Sequence, residues 1–284
     1  MIGTGGQGLG ATLSVPCAGV AFAGAVLVAG SGPQDRDEST GTFRPLGALA
    51  EALSSNGVVT LRYDKRTFAR AAGLDLSRLT VDGEFIDDAL AALRALRLNP
   101  ATKGLPLFLI GHSMGALVAP QVAERDAEVA AIILIAPPGR PLPLLIASQV
   151  RALGSSDASA VEDRARRLLA GELPPDALFL GLPVAYWLDL EQRRELERAA
   201  RLDRPILVLR GSEDLQVAQE DQDLWQHALA GARGSSVESV PGMDHLMTNA
   251  NKGLRFDPMV GARILRFMRD SSGSRAVPFS GAPR

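Results

Sequence analysis

Leu107-Phe108-Leu109-Ile110-Gly111-His112-Ser113-Met114-Gly115-Ala116-Leu117-Val118 is the stretch from which the rest of the chain can be read. Four apolar residues of strand type run into a Gly-X-Ser-X-Gly pentapeptide, and an apolar helical pattern follows at once. A bare Gly-X-Ser-X-Gly is a weak signal, expected by chance roughly 0.1–0.2 times in a chain this rich in glycine. Its position between a buried strand and a helix makes it specific, because a serine lifted on a tight strand-to-helix turn needs that context. Gly111 and Gly115 relieve crowding in the turn. Ser113 then stands at the positive end of the following helix, where developing negative charge is favoured.

The neighbouring segments repeat the same rhythm. Residues 10–16 alternate and stop at Pro16, as an edge strand does. Residues 21–29 are almost wholly apolar, the mark of a strand covered on both faces. A helix is expected over 46–53, a strand over 58–63, and a helix N-capped by Thr80 with Phe85, Ile86, Leu90, Leu93 and Leu96 inward. After the pentapeptide comes another strand over 130–136. This alternation predicts an α/β fold with a doubly wound, mostly parallel sheet.

From Pro138 to Leu202 the pattern is different, with helix-like segments at 143–153, 158–170 and 191–201 and aromatics at Tyr186-Trp187. A loop of that length is rarely unstructured, so 138–202 reads as an inserted helical cap on a core of 1–137 and 203–270. Strands resume at 206–210 and 236–240, a helix is expected over about 257–270, and the Ser/Gly/Pro-rich tail 271–284 reads as disordered.

Composition narrows the function classes. The chain has 284 residues, 46% hydrophobic and 22% charged, with a formal net charge of −2. These values fit a soluble globular protein and give no electrostatic reason to expect nucleic acid or an anionic membrane as partner. Three histidines and one cysteine, with no Cys-X-X-Cys or His-X-X-X-His spacing, argue against a metal site. The apolar run 18–30 has no Lys or Arg before it, the first being Arg36, so it reads as a buried strand and not as a signal segment. Together with the unpaired Cys17, this points to a cytoplasmic location.

A serine hydroxyl needs a base to act as a nucleophile. His112 lies inside the pentapeptide and points away from the serine if the turn forms, while His227 falls in a helical pattern. His245 follows the last strand in a loop at the carboxyl edge of the sheet, where open α/β sheets bind ligands, and is the expected base. Asp214, in the loop after strand 206–210, is the expected orienting acid, with Glu213 as the alternative. The order Ser113, Asp214, His245 is the one found on α/β-hydrolase folds. Oxyanion donors are expected from the backbone N–H of Met114 and of Ser31, with Gly32 the second choice for the latter.

The chain resembles α/β-hydrolase-fold serine esterases of the bacterial branch with a Gly-Ser-Gly-Pro-X-Asp-Arg-Asp oxyanion loop. That loop is Gly30-Ser31-Gly32-Pro33-Gln34-Asp35-Arg36-Asp37 here, supported by Arg62-Tyr63-Asp64-Lys65-Arg66, the Ser113 pentapeptide, Tyr186-Trp187-Leu188-Asp189-Leu190 and Gly211 through Val217. The resemblance spans roughly 10–270. It implies hydrolysis of small or short-acyl carboxylic esters, a helical cap and no cofactor. Gly32, Tyr186 and Trp187 become candidate substrate contacts. A thioesterase, peptidase or acyltransferase would share the triad, and a non-catalytic binding protein would share the fold. The sequence departs from the family after Arg66, where Thr67-Phe68-Ala69-Arg70-Ala71 replaces the usual glycine-rich turn beside the oxyanion region.

Overall fold

In the computed structural model, which describes residues 1–3, 8–249 and 253–273, the uninterrupted apolar runs form the central strands. In chain order the elements are β1 (Ala11–Ser14), β2 (Ala23–Val28), α1 (Pro45–Ser54), β3 (Val58–Tyr63), α2 (Arg66–Ala69), α3 (Asp87–Arg97), β4 (Leu107–His112), α4 (Met114–Arg125) and β5 (Val129–Ile135). Then come α5 (Leu142–Ala152), α6 (Ala158–Leu169), a two-stranded hairpin of β6 (Leu178–Phe179) and β7 (Leu182–Pro183), α7 (Val184–Gln192) and α8 (Glu195–Arg201). The chain closes with β8 (Ile206–Gly211), α9 (Gln219–Ala228), β9 (Ser236–Val240) and α10 (Pro258–Gly273).

The main sheet has the order β1-β3-β2-β4-β5-β8-β9. Only β1 is antiparallel, pairing Ala11 with Tyr63 through Ser14 with Thr60 at one edge. Every residue of β2, β3, β4, β5 and β8 is buried. Side chains alternate between two apolar clusters. Ala23, Ala25 and Leu27 face α1 and α10, whereas Val26 and Val28 face the side covered by α3 and α4. The chain leaves β2 toward β3 on one side and returns to β4 on the other. The carboxyl ends of β2 and β4, paired through Val28 and Gly111, therefore lie next to each other at a topological switch point.

Several boundaries differ from expectation. The helix expected over 191–201 is broken, because Arg194 adopts a left-handed conformation (φ 49°) between α7 and α8. Helix α7 covers the aromatic pair that sequence left unassigned. The helix capped by Thr80, whose Oγ1 accepts the Gly83 N–H at 3.0 Å, begins with a π-helical turn at Asp82–Ile86. At the other end, α10 runs three residues into the segment expected to be disordered, since Ser271 is buried and Ser272 Oγ donates to the Met268 carbonyl at 2.7 Å. Residues 274–284 of that tail lie outside the described residues. No helix among the described residues is long and apolar enough to cross a membrane.

Candidate active site

Ser113 occupies the turn between β4 and α4 with φ 51° and ψ −121°, a conformation that costs a non-glycine residue free energy and clusters at functional sites. The flanking glycines are required by packing. A Cβ on Gly111 would sit 2.4 Å from the Gly115 carbonyl oxygen, and one on Gly115 would sit 2.4 Å from that of Ala29. The Ser113 N–H donates to Ile135 O at 2.8 Å, and its carbonyl accepts from Ala116 and Leu117 at 3.0 Å, so the turn is anchored to β5 and to the first turn of α4.

Asp214 lies in the loop after β8 and is buried. Its Oδ1 accepts the N–H groups of Gln216 (2.8 Å) and Val217 (2.9 Å), leaving Oδ2 for His245 Nδ1 at 2.9 Å. Burial opposes ionisation of this carboxyl. The bond to His245, the charge there and the two backbone donors outweigh it and hold Asp214 below the usual carboxylate range. The neighbouring Glu213 is exposed, its carboxylate accepting from the Ser212 hydroxyl at 3.2 Å, and His227 is exposed on α9. Loops 211–217 and 240–248 are stitched together by Ser212 N to Val240 O, Glu213 N to Met243 O and Gly242 N to Ser212 Oγ.

Ser113 and His245 line one cavity of about 270 Å³, together with Ser31, Gln34, Thr40, Gln149 and Gln216. No direct hydrogen bond joins the Ser113 hydroxyl to the imidazole among the described residues; such contacts commonly tighten only when substrate is bound. A second cavity of about 410 Å³ is mainly apolar and adjoins the first at Ser31 and Ile146. Gly32, Met114, Tyr186 and Trp187 line it, as do Thr67 and Ala71 from the atypical loop after Arg66. That loop is held by a two-pronged Arg66–Asp88 pair at 2.7 and 2.9 Å. Tyr186 and Trp187 also pack edge to face, ring centres 5.6 Å apart, and Trp187 Nε1 donates to Phe179 O at 2.9 Å. They are pocket wall and packing at once.

Ser31 and Met114 belong to the two adjacent strand ends, one after β2 and one opening α4. The loop carrying Ser31 is clamped by charge: Arg36 grips Asp64 (2.6 and 2.9 Å) and Asp37 accepts from Arg62 (2.5 Å).

Glu38 and His112 are the supporting residues that sequence did not assign. His112 lies between Glu38 Oε2 (2.7 Å from Nδ1) and the carbonyl of His245 (2.9 Å from Nε2), its ring centre 4.9 Å from that of His245. Glu38, itself left-handed at φ 54°, also accepts the Gly30 N–H. Burial disfavours both charges, but their mutual attraction and hydrogen bonds win. Glu38 is held below its ordinary value and His112 above its own. His112 faces two acceptors, so this ion pair pins the backbone of residue 245 to the loop after β2. Among the described residues there is no cluster of three or more His, Cys, Asp or Glu able to hold a metal ion.

A positive-φ serine on a strand–turn–helix, lining the same cavity as a carboxylate-bound histidine at the carboxyl edge of a mostly parallel sheet, is the arrangement of the α/β hydrolases. The model of the alpha/beta hydrolase family matches residues 9–253, and the chain belongs to that family. It is 37% identical over 245 residues to esterase EstD of Thermotoga maritima, covering 85% of this chain and spanning only 58% of that protein's length. Est1E from Butyrivibrio proteoclasticus superposes with a TM-score of 0.62 at 20% identity, covering 95% of this chain and 97% of its own. The esterase domain of a Rhodothermus marinus protein gives 0.59 at 21%, covering 92% and 93%. At those identities the two structures speak to the fold.

Proposed function

We propose that the protein hydrolyses carboxylic esters through an acyl-enzyme on Ser113. His245 takes the hydroxyl proton as Ser113 attacks the carbonyl carbon, then delivers it to the departing alkoxide. Water activated by the same imidazole attacks the acyl carbon, and Ser113 regains its proton as the acid leaves. Asp214 fixes the imidazole tautomer and stabilises the imidazolium without taking the proton. The N–H groups of Ser31 and Met114 receive the oxyanion. The observation that carries this reading is the strained Ser113 in the same cavity wall as a histidine whose Nδ1 is held by a buried carboxylate. The name of EstD favours an ester over other acyl substrates.

The same geometry orients the substrate. The leaving oxygen must lie within hydrogen-bond reach of His245, so the alcohol takes the 270 Å³ chamber and the acyl group the apolar one. A dry cavity of about 150 Å³ holds benzene, so 410 Å³ has room for acyl groups beyond the short ones the sequence suggested. Residues 138–202 serve as the cap over this chamber, the remaining described chain is the core, and the exposed single Cys17 fits a cytoplasmic setting.

Covalent labelling tests the reading. A fluorophosphonate should label the wild type on Ser113 and leave Ser113→Ala unlabelled, with kcat on p-nitrophenyl esters reduced by about 10⁶-fold. Wild-type turnover in Ser113→Ala would remove the proposal. Faster turnover of acyl thioesters or peptide amides than of esters would replace the substrate class.

A further inference from the structure

Lys65 follows β3 and is only 2% exposed, a rare place for an ammonium group. Its ammonium group makes three contacts within one small volume. Nζ donates to the Gly30 carbonyl at 2.9 Å, pairs with Glu84 Oε1 at 2.8 Å, and stands 3.9 Å above the centre of the Phe85 ring. Glu84, 4% exposed in the π-helical turn, uses its other oxygen to accept from the Tyr186 hydroxyl at 2.5 Å. The chain of contacts thus runs from the wall of the apolar chamber to the loop after β2.

The atom at the end of that chain is significant. The Gly30 carbonyl and the Ser31 N–H belong to one peptide unit, which is planar and trans, so the two groups point in opposite directions. No cis peptide bond occurs among the described residues. A cation holding the Gly30 oxygen therefore fixes the direction of the Ser31 N–H on the opposite side of the same peptide, and that N–H has no backbone acceptor of its own among the described residues. Glu38 fixes the preceding peptide by accepting the Gly30 N–H. Replacing a buried ion pair by apolar groups is often neutral or stabilising, so stability alone is a weak reason for a charge at this position.

We propose that Lys65 is a positioning residue for the Ser31 oxyanion donor, linked through Glu84 and Tyr186 to the acyl chamber. This rests on the esterase reading above. Its contribution appears in the transition state, where the oxyanion exists, and is small in the ground state.

The test uses Lys65→Met combined with Glu84→Gln, which leaves no unpaired buried charge and keeps an acceptor for Tyr186. Removing one oxyanion donor outright costs about 10²–10³ in kcat. Misdirecting one should lower kcat about 10- to 100-fold while KM for the p-nitrophenyl ester stays within about twofold. An alkylboronic acid, which places an oxygen in the oxyanion position once bound to Ser113, should lose affinity by a comparable factor. A folded double variant with wild-type kcat and boronate affinity overturns the proposal, whatever its Tm. Should the double variant fail to fold, Tyr186→Phe decides: a three- to tenfold fall in kcat at unchanged KM supports the link, and unchanged kcat overturns it. Ser113→Ala run in parallel separates the two levels. If it keeps turnover, the esterase reading fails; if it is inactive while the Lys65 variant is normal, only the positioning role fails.

Discussion

At Asp214 the two carboxylate oxygens have separate tasks. Oδ1 is occupied by the Gln216 and Val217 N–H groups, so only Oδ2 is aimed at the imidazole. Asp214→Asn would keep an oxygen for the backbone and present an amide N–H to Nδ1. The imidazole proton would then have to sit on Nε2, where the proposed base needs a lone pair. By analogy with the same change in serine proteases, kcat should drop about 10⁴-fold, with near-native far-UV circular dichroism as the check on folding. A drop below tenfold would mean that the aspartate does not set the tautomer. Ser113, Asp214 and His245 were legible because each sits in a short local context, a glycine-flanked turn or a loop directly after an apolar run. Glu38, Lys65 and Glu84 were not. Their partners lie far along the chain, 74 residues between Glu38 and His112 and 102 between Glu84 and Tyr186, and no local periodicity marks such pairings.

Among the elements, those buried on both faces matched the sequence reading, since a strand of solid Val, Ile, Leu and Ala leaves few alternatives. Between β5 and β8, the helices expected over 143–153 and 158–170 matched α5 and α6 to within a residue, whereas the remainder of the segment did not follow the pattern. The break at Arg194 turns on one left-handed residue, and the hairpin of β6 and β7 is two residues deep. Helix α8 carries a testable consequence. Glu195 opens it, where the helix dipole favours an anion by about 0.3–1 kcal/mol. Burial is stronger: despite Arg193 and Arg125 nearby and Arg198 Nε at 3.4 Å, it pushes the carboxyl up to about 8. Between the ordinary value of 4.5 and about 8, the folded protein holds a proton that the unfolded chain has released. Stability from this group therefore falls as pH rises through that window. Glu195→Gln should match the wild type in Tm at pH 4.5 and exceed it by several degrees at pH 9. Equal Tm values at both pH values would show that the carboxyl ionises without penalty.

For the molecule as a whole, the site is a product of strand order. Because the chain reverses direction across the sheet after β2, the loop bearing Ser31 and the turn bearing Ser113 come from adjacent strands, while Asp214 and His245 arrive from β8 and β9 farther along the same edge. Helices α5 and α7 and the hairpin then wall off the apolar chamber above Met114, through Ile146, Leu180, Leu182, Tyr186 and Trp187. Sequence pattern indicated that something covers the sheet edge but not that two chambers result, since their volumes depend on how separate segments meet. If the chamber on the Met114 side receives the acyl group, reducing it should penalise acyl length and leave the alcohol series untouched. Ala71 is exposed and lines this chamber from the loop after Arg66, so Ala71→Phe adds bulk without disturbing the core. One methylene in an apolar pocket is worth about 10- to 200-fold in specificity. The ratio of kcat/KM for p-nitrophenyl octanoate over acetate should therefore fall at least tenfold in the variant. Across acetate esters of increasingly large alcohols, the variant should follow the wild type. A shift along the alcohol series instead, with the acyl ratio unchanged, would reverse the assignment of the chambers and put the leaving group beneath Trp187.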